Sequence, residues 1–120
     1  KQQNRTNEAV TYYEKYLAQQ PADTDVRYDF ALYLTKVGNW QLAARELRIL
    51  TQVVTDVANL YVLLARVETK LGNDQAAIAA FRRAAQLTDP KQALLWMDDA
   101  EFDKLRNDND FQALIKYYEQ

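Results

Sequence analysis

The sequence predicts an all-α protein made of repeated helix pairs, and two observations support this. The glycines Gly38 and Gly72 stand 34 residues apart (72 − 38 = 34), and the same interval separates the small and large apolar residues that follow them, Ala43, Ala77, Leu47 and Phe81. A fixed period in this range is typical of chains built from identical supersecondary units. Gly and Pro, which break helices, occur only 2 times each. Helices are therefore expected along the whole chain.

Composition narrows the class of function. The chain has 120 residues, a net charge of −2, and neither His nor Cys. Ser is also absent, so the usual general base and the usual nucleophiles are missing. The sequence thus predicts a protein that is not an enzyme and holds no metal or cofactor. Its nearly balanced charge does not predict the excess of basic residues that binds nucleic acid. No apolar run is long enough for a membrane span.

The first three helices are predicted from the spacing of apolar residues and from residues that cap or end helices. The pattern predicts a helix over residues 7–19 that ends before Pro21. Asp23 or Thr24 is expected to cap a second helix, which Gly38 stops. A third helix is expected from about Trp40 to Val53.

Two further helices repeat this arrangement. Asp56 is predicted to cap the fourth helix, which runs to Leu71 and is closed by Gly72. Asn73 or Asp74 is expected to cap the fifth, which continues to about Leu87. Short loops between such helices make neighbours antiparallel.

The pattern loosens after Pro90. A short helix is expected over residues 93–97, then one or two helical turns that bury Phe102 and Leu105. The run 107–110 resembles a calcium loop faintly, but it lacks the central Gly, so the favoured interpretation is a capped start of a last helix. We interpret residues 92–120 as an irregular C-terminal cap that seals the core.

The predicted organisation is one domain over residues 1–120. It divides into a half repeat at 4–23, in which Asn4, Ala9 and Tyr13 continue the period, two repeats at 24–57 and 58–91, and the cap. The abrupt polar start at Lys1 suggests a fragment of a longer protein. The compartment stays open, with a soluble cytoplasmic domain slightly favoured.

These positions resemble the tetratricopeptide repeat family. The residues that carry the resemblance in the first repeat are Arg27, Phe30, Ala31, Leu34, Gly38, Ala43, Leu47 and Thr55. Those of the second are Tyr61, Leu64, Ala65, Glu68, Gly72, Ala77, Phe81, Asp89 and Pro90. Arg27 replaces a large apolar residue of the family pattern, and Thr55 replaces its Pro. The resemblance implies a right-handed α-solenoid of antiparallel helix pairs.

The resemblance also implies a concave groove lined by the first helix of each pair. Its predicted lining residues, one helical turn or one repeat apart, are Tyr28, Leu32, Lys36, Val62, Arg66, Lys70 and Trp96. An apolar floor with a basic margin would suit an acidic peptide that carries apolar anchors. The predicted function is therefore a protein-interaction scaffold. Trp96 has two open interpretations, as a groove residue or as a core residue covered by Phe102 and Leu105.

An alternative function is assembly through self-association. The face of the first helix that carries Val10, Tyr13 and Tyr16 lacks a preceding helix, so a second chain or an N-terminal region is expected to cover it. Folding back of residues 1–6 is the other option. For Tyr13 and Tyr16, spacing also fits a role in the core of the half repeat.

Overall fold

The computed structural model describes the backbone of residues 2–120 and the side chains of residues 5–120. Within these residues every regular element is helical, which confirms the all-α class. The elements are α1 Gln2–Gln19, α2 Thr24–Lys36, α3 Trp40–Val53, α4 Ala58–Lys70, α5 Asp74–Gln86, α6 Pro90–Met97, a 3₁₀ segment Ala100–Leu105, and α7 Asn109–Glu119. Among the described helices, none has the length and apolar character needed to cross a membrane.

The helices form two compact units, Lys1–Val54 and Thr55–Gln120. In the N-terminal unit, α1 packs on α2, and α2 packs along α3. In the C-terminal unit, α4 packs along α5, while α6, α7 and the 3₁₀ segment complete the unit. The predicted single-domain organisation and its repeat bounds stay predictions.

Each unit has its own apolar core. Phe30 and Leu34 of α2 and Leu47 of α3 are fully buried in the N-terminal unit. In the C-terminal unit the ring of Phe81 lies 4.5 Å from that of Phe102 and 5.6 Å from that of Phe111, measured between centroids. Phe102 and Leu105 are buried, as predicted. The small residues Ala43, Ala44, Ala77 and Ala84 are also fully buried, which lets paired helices approach closely.

Two glycines end the first helices of the pairs as predicted. Gly38 has a φ of 79° and Gly72 a φ of 80°, in the left-handed region that residues with a Cβ rarely adopt. The backbone then reverses within three residues. Asn39 follows at once, and its side-chain oxygen accepts a hydrogen bond from the Leu42 amide at the start of α3.

Other caps agree with the sequence in part. Asp23 accepts from the Val26 amide at the start of α2, and Asp108 accepts from the amides of Asp110 and Phe111 at the start of α7. The interpretation of residues 107–110 as a helix start is thereby confirmed. Asn73 occupies the position before α5, but its amide nitrogen donates to Glu68 Oε1 at 2.9 Å and does not cap the helix.

Two expectations about helix starts are wrong, as is the option that the N-terminal residues fold back. The first helix starts at Gln2 and not at residue 7, since no Gly or Pro interrupts the chain before Pro21. Its backbone therefore includes Asn4, and residues 2–6 do not fold back. Lys1 lies outside the described residues, as does the side chain of Asn4. Asp56 does not cap α4, because the helix begins one residue too late for it, after Val57.

Candidate protein-binding surfaces

An exposed stripe runs along α2 in the N-terminal unit. Tyr28, Leu32 and Lys36 stand four residues apart, so they share one face of the helix. The side chains of Tyr28 and Leu32 are 37% and 39% exposed, and Lys36 is exposed as well. Phe30 and Leu34 are fully buried and hold α2 in the core. We call Tyr28, Leu32 and Lys36 the α2 stripe.

The predicted groove residues of the C-terminal unit have a different environment. Val62 is only 7% exposed, so it contributes more to the core than to a surface. Arg66 Nε donates to Glu101 Oε2 at 2.8 Å. Lys70 is exposed. Trp96 on α6 is half-buried, which is intermediate between a groove residue and a core residue, the two interpretations that the sequence left open. Apolar exposure at these positions is therefore smaller than on the α2 stripe.

The 3₁₀ segment explains why Arg66 has a carboxylate partner. Phe102 anchors this segment against Phe81, which brings Glu101 to Arg66. Lys104 Nζ also donates to the backbone oxygen of Thr69 at 2.9 Å. The segment thus contacts α4 through two of its three charged side chains, Glu101 and Lys104. Sequence reasoning missed these contacts because their partners lie 35 residues apart in the chain.

The predicted self-association residues on α1 are largely engaged within their own unit. Tyr13 is half-buried and stacks on Phe30 with ring centroids 4.8 Å apart. The Tyr16 hydroxyl donates to Asp23 Oδ2 at 2.6 Å. Val10 is half-buried. The most exposed ring of this helix belongs to Tyr12, at 69%, which the prediction did not include.

The hydrogen bond between Tyr16 and Asp23 shifts the pKa of both side chains. It is the largest cause that raises the pKa of Tyr16 above its ordinary value, because the neighbouring carboxylate favours the protonated phenol. The same bond lowers the pKa of Asp23, with a smaller contribution from the Val26 amide. This bond fixes the end of α1 to the start of α2.

An ion cluster with a buried pair, Arg27 and Glu46, links α2 and α3, and sequence reasoning missed it. Arg27 NH1 donates to Glu46 Oε1 at 2.6 Å, and Arg27 NH2 donates to the Pro21 backbone oxygen at 3.1 Å. Arg45 bridges the second oxygen of Glu46 and the carboxylate of Glu14, at 2.8 Å each. Two signals could have revealed it. Arg27 occupies an apolar position of the repeat, and Glu46 lies between buried residues of α3.

A cleft opens in the C-terminal unit beside α6 and α7. Its volume is about 440 Å³, and its lining residues are Lys91, Leu94, Leu95, Met97, Asp98, Arg106, Ile115 and Glu119. Leu95 is 67% exposed. No prediction from the sequence identified this cleft. Elsewhere in the part of the chain that the structure describes, no three acidic residues converge on a position that could hold a metal ion.

The helix pair α4–α5 matches a known repeat family. Residues 58–89, which contain both helices, match the family model described as tetratricopeptide repeat. This helix pair is a tetratricopeptide repeat. The resemblance predicted from the sequence is thereby confirmed, and such repeats are in general modules of protein–protein interaction.

Solved structures support the same fold. A crystal structure of MamA is 22% identical, with 97% of this chain and 71% of that chain aligned at a TM-score of 0.66. MamA from Desulfovibrio magneticus RS-1, residues 41 to the end, is 19% identical, with 98% and 68% aligned at a TM-score of 0.65. At these identities the likeness shows a solenoid-like helical repeat fold and nothing further. No curated protein sequence matches the chain.

Proposed function

We propose that this tetratricopeptide repeat protein binds an acidic segment of a partner protein, and that the α2 stripe supplies the apolar contacts. The observation that supports this is the pair Tyr28 and Leu32, two large apolar side chains that are each more than one third exposed on one helix face. Neighbouring Phe30 and Leu34 are fully buried and hold this face in place. A rigid helix presents such anchors at little entropic cost.

The chemistry of the partner follows from the types of side chain in the stripe. A tyrosine presents an apolar ring with a polar tip, the combination that interface hot spots favour. Lys36 follows Leu32 by one helical turn and adds a positive charge. A segment with apolar anchors followed by a carboxylate satisfies all three side chains. Covering one central aromatic anchor typically contributes about 2 kcal/mol or more to binding.

The C-terminal unit has predicted binding residues of its own, which the family resemblance implies: Val62, Arg66, Lys70 and Trp96. Arg66 is paired with Glu101, but the two side chains are 38% and 37% exposed. An ion pair this accessible stabilises the fold by only about 0–1 kcal/mol. A partner carboxylate could therefore replace Glu101 at a small energetic cost.

A peptide-display selection tests the proposal. A random library would be selected on the native protein alone, and the affinity of each enriched peptide would then be measured on the native protein and on the double variant Tyr28→Ala, Leu32→Ala. We expect acidic sequences with apolar anchors that lose about tenfold or more in affinity on the double variant, since each anchor contributes more than 1.4 kcal/mol. Tyr117→Ala, at a tyrosine that is 67% exposed on α7, is the matched control and should bind normally. Peptides that bind the double variant as tightly as the native protein would contradict the proposal.

A second candidate function is self-association through the outer face of α1, around Val10, Tyr13 and Tyr16. The exposed ring of Tyr12 on the same helix supports it. Tyr13 stacks on Phe30, so a charge there would also damage the core. Tyr12→Glu is the cleaner test, and an unchanged sedimentation coefficient at high protein concentration would count against this interface.

A further inference from the structure

The cleft beside α6 and α7 has an apolar floor that the unit leaves uncovered. Leu94, Leu95 and Ile115 line it, and Leu95 is 67% exposed. Met97, at 1% exposure, closes its base. An opening of about 440 Å³ lined in this way accommodates several side chains from another molecule.

Charges of both signs border this floor. Lys91 and Asp98 stand at opposite ends of α6, about 10 Å apart along the helix axis. Both are exposed, as is Glu119. Among residues 5–120, none of these three side chains has a hydrogen-bond or ion-pair partner. Arg106, the remaining charge, is occupied, because it donates to the backbone oxygens of Met97 and Asp99 and to the carboxylate of Asp103.

We propose that this cleft is a dimer interface, and that its occupant is the same cleft of a second copy of the chain. In a two-fold contact, a surface meets itself, so its charges must be self-complementary. Two antiparallel copies of α6 place Lys91 of each copy against Asp98 of the other, twice per dimer. Leu95 of each copy then covers the apolar floor of its counterpart. A partner segment of one charge sign would meet repulsion at one end of the cleft, whereas a second copy matches both ends.

This interface is distinct from the α2 stripe and from the outer face of α1. It requires no peptide ligand, so it can be tested on the chain alone. Leu95 has little contact with its own unit, and its replacement should leave the fold intact. The charge pair provides a rescue experiment, since exchanging the two signs preserves complementarity.

Sedimentation equilibrium over a range from low to high micromolar protein would measure the dimerisation constant. We expect a reversible monomer–dimer equilibrium that Leu95→Asp weakens at least tenfold. Lys91→Asp and Asp98→Lys should each weaken it several-fold, because each reversal acts twice in the dimer. The double variant Lys91→Asp, Asp98→Lys should restore it. Arg82→Asp, at an exposed position of α5, controls for the change in net charge.

Three results would overturn the proposal. The first is a native chain that stays monomeric at every concentration. The second is a dimer that Leu95→Asp does not weaken while Tyr12→Glu does, which would place the contact on α1. The third is a failure of the double charge exchange to restore dimerisation although circular dichroism shows unchanged helicity. Restoration, together with a normal dimer in Arg82→Asp, would support the antiparallel contact.

Discussion

The buried ion pair between Arg27 and Glu46 offers the sharpest test of how the N-terminal unit holds the α2 stripe. Glu46 is 2% exposed and Arg27 is 9% exposed, and their charged atoms are 2.6 Å apart. Glu46→Gln keeps the size of the side chain but removes its charge. Arg27 then remains buried with the Pro21 backbone oxygen as its only other acceptor among the described residues.

The expected loss of stability depends on the charge of Arg27, which is left buried without its partner. Removing one partner of a buried ion pair costs about 3–5 kcal/mol, because the other charge stays desolvated. The contact of Glu46 with Arg45 adds little, since Arg45 is 48% exposed and such contacts contribute about 0–1 kcal/mol. We therefore expect Glu46→Gln to lower the free energy of unfolding of the N-terminal unit by about 3–5 kcal/mol.

The double variant Arg27→Leu, Glu46→Leu is the matched control. It removes both charges and fills the site with apolar volume, a change that is often neutral or stabilising by about 1–4 kcal/mol. The double variant should therefore be more stable than Glu46→Gln. An additive loss, larger than that of the single variant, would contradict the electrostatic reasoning.

Urea unfolding with a local reporter provides the assay. The chain has 2 tryptophans, Trp40 in the N-terminal unit and Trp96 in the C-terminal unit. In a Trp96→Phe background, the emission of Trp40 reports the N-terminal unit alone. A free energy of unfolding for Glu46→Gln within about 1 kcal/mol of the parent would refute the account of this pair.

Three further predictions concern a turn, the second core and the contact between α1 and α2. Gly38→Ala should cost about 1–2 kcal/mol, because φ is 79° while the space around an added Cβ is open, and Gly38→Asn should cost less; thermal unfolding would measure both. Phe81→Ala should destabilise the C-terminal unit by about 3–5 kcal/mol, measured by urea unfolding with Trp96 as reporter, and a loss below about 1 kcal/mol would argue against the aromatic cluster. Because Tyr16 lowers the pKa of Asp23, the stability that this carboxylate contributes is present above its ordinary value of 3.8 and is lost as pH falls through its folded-state pKa. Tyr16→Phe should raise that pKa toward 3.8, as a carbon-13 titration of Asp23 would show, and an unchanged value would contradict the bond.

Repetition made most of the fold predictable. The spacing of Gly38 and Gly72 located the turns within the pairs, because a left-handed residue is needed there in each repeat. Ala43 and Ala77 marked the close contacts between helices in the same way. The start of α1 was less predictable, since a polar segment without Gly or Pro carries no signal for where a helix begins.

The surfaces were harder to predict than the fold. The exposure of Tyr28 and Leu32 agrees with a role at a surface because α2 has a regular face that spacing identifies. The pairing of Arg66 with Glu101 could not be predicted, since it depends on how the irregular cap folds back on α4. The same holds for the cleft at Leu95, which depends on the placement of α6 and α7 after the repeat period has ended.

Binding of a partner on the α2 stripe can be observed residue by residue. The most direct measurement is a nitrogen-15 NMR titration of the chain with an acidic peptide from the display selection. We expect the largest amide shifts on α2, at Tyr28, Leu32 and Lys36, and we expect them to vanish in the variant Tyr28→Ala, Leu32→Ala. Shifts concentrated on the outer face of α1 or around Leu95, with α2 unchanged, would contradict it.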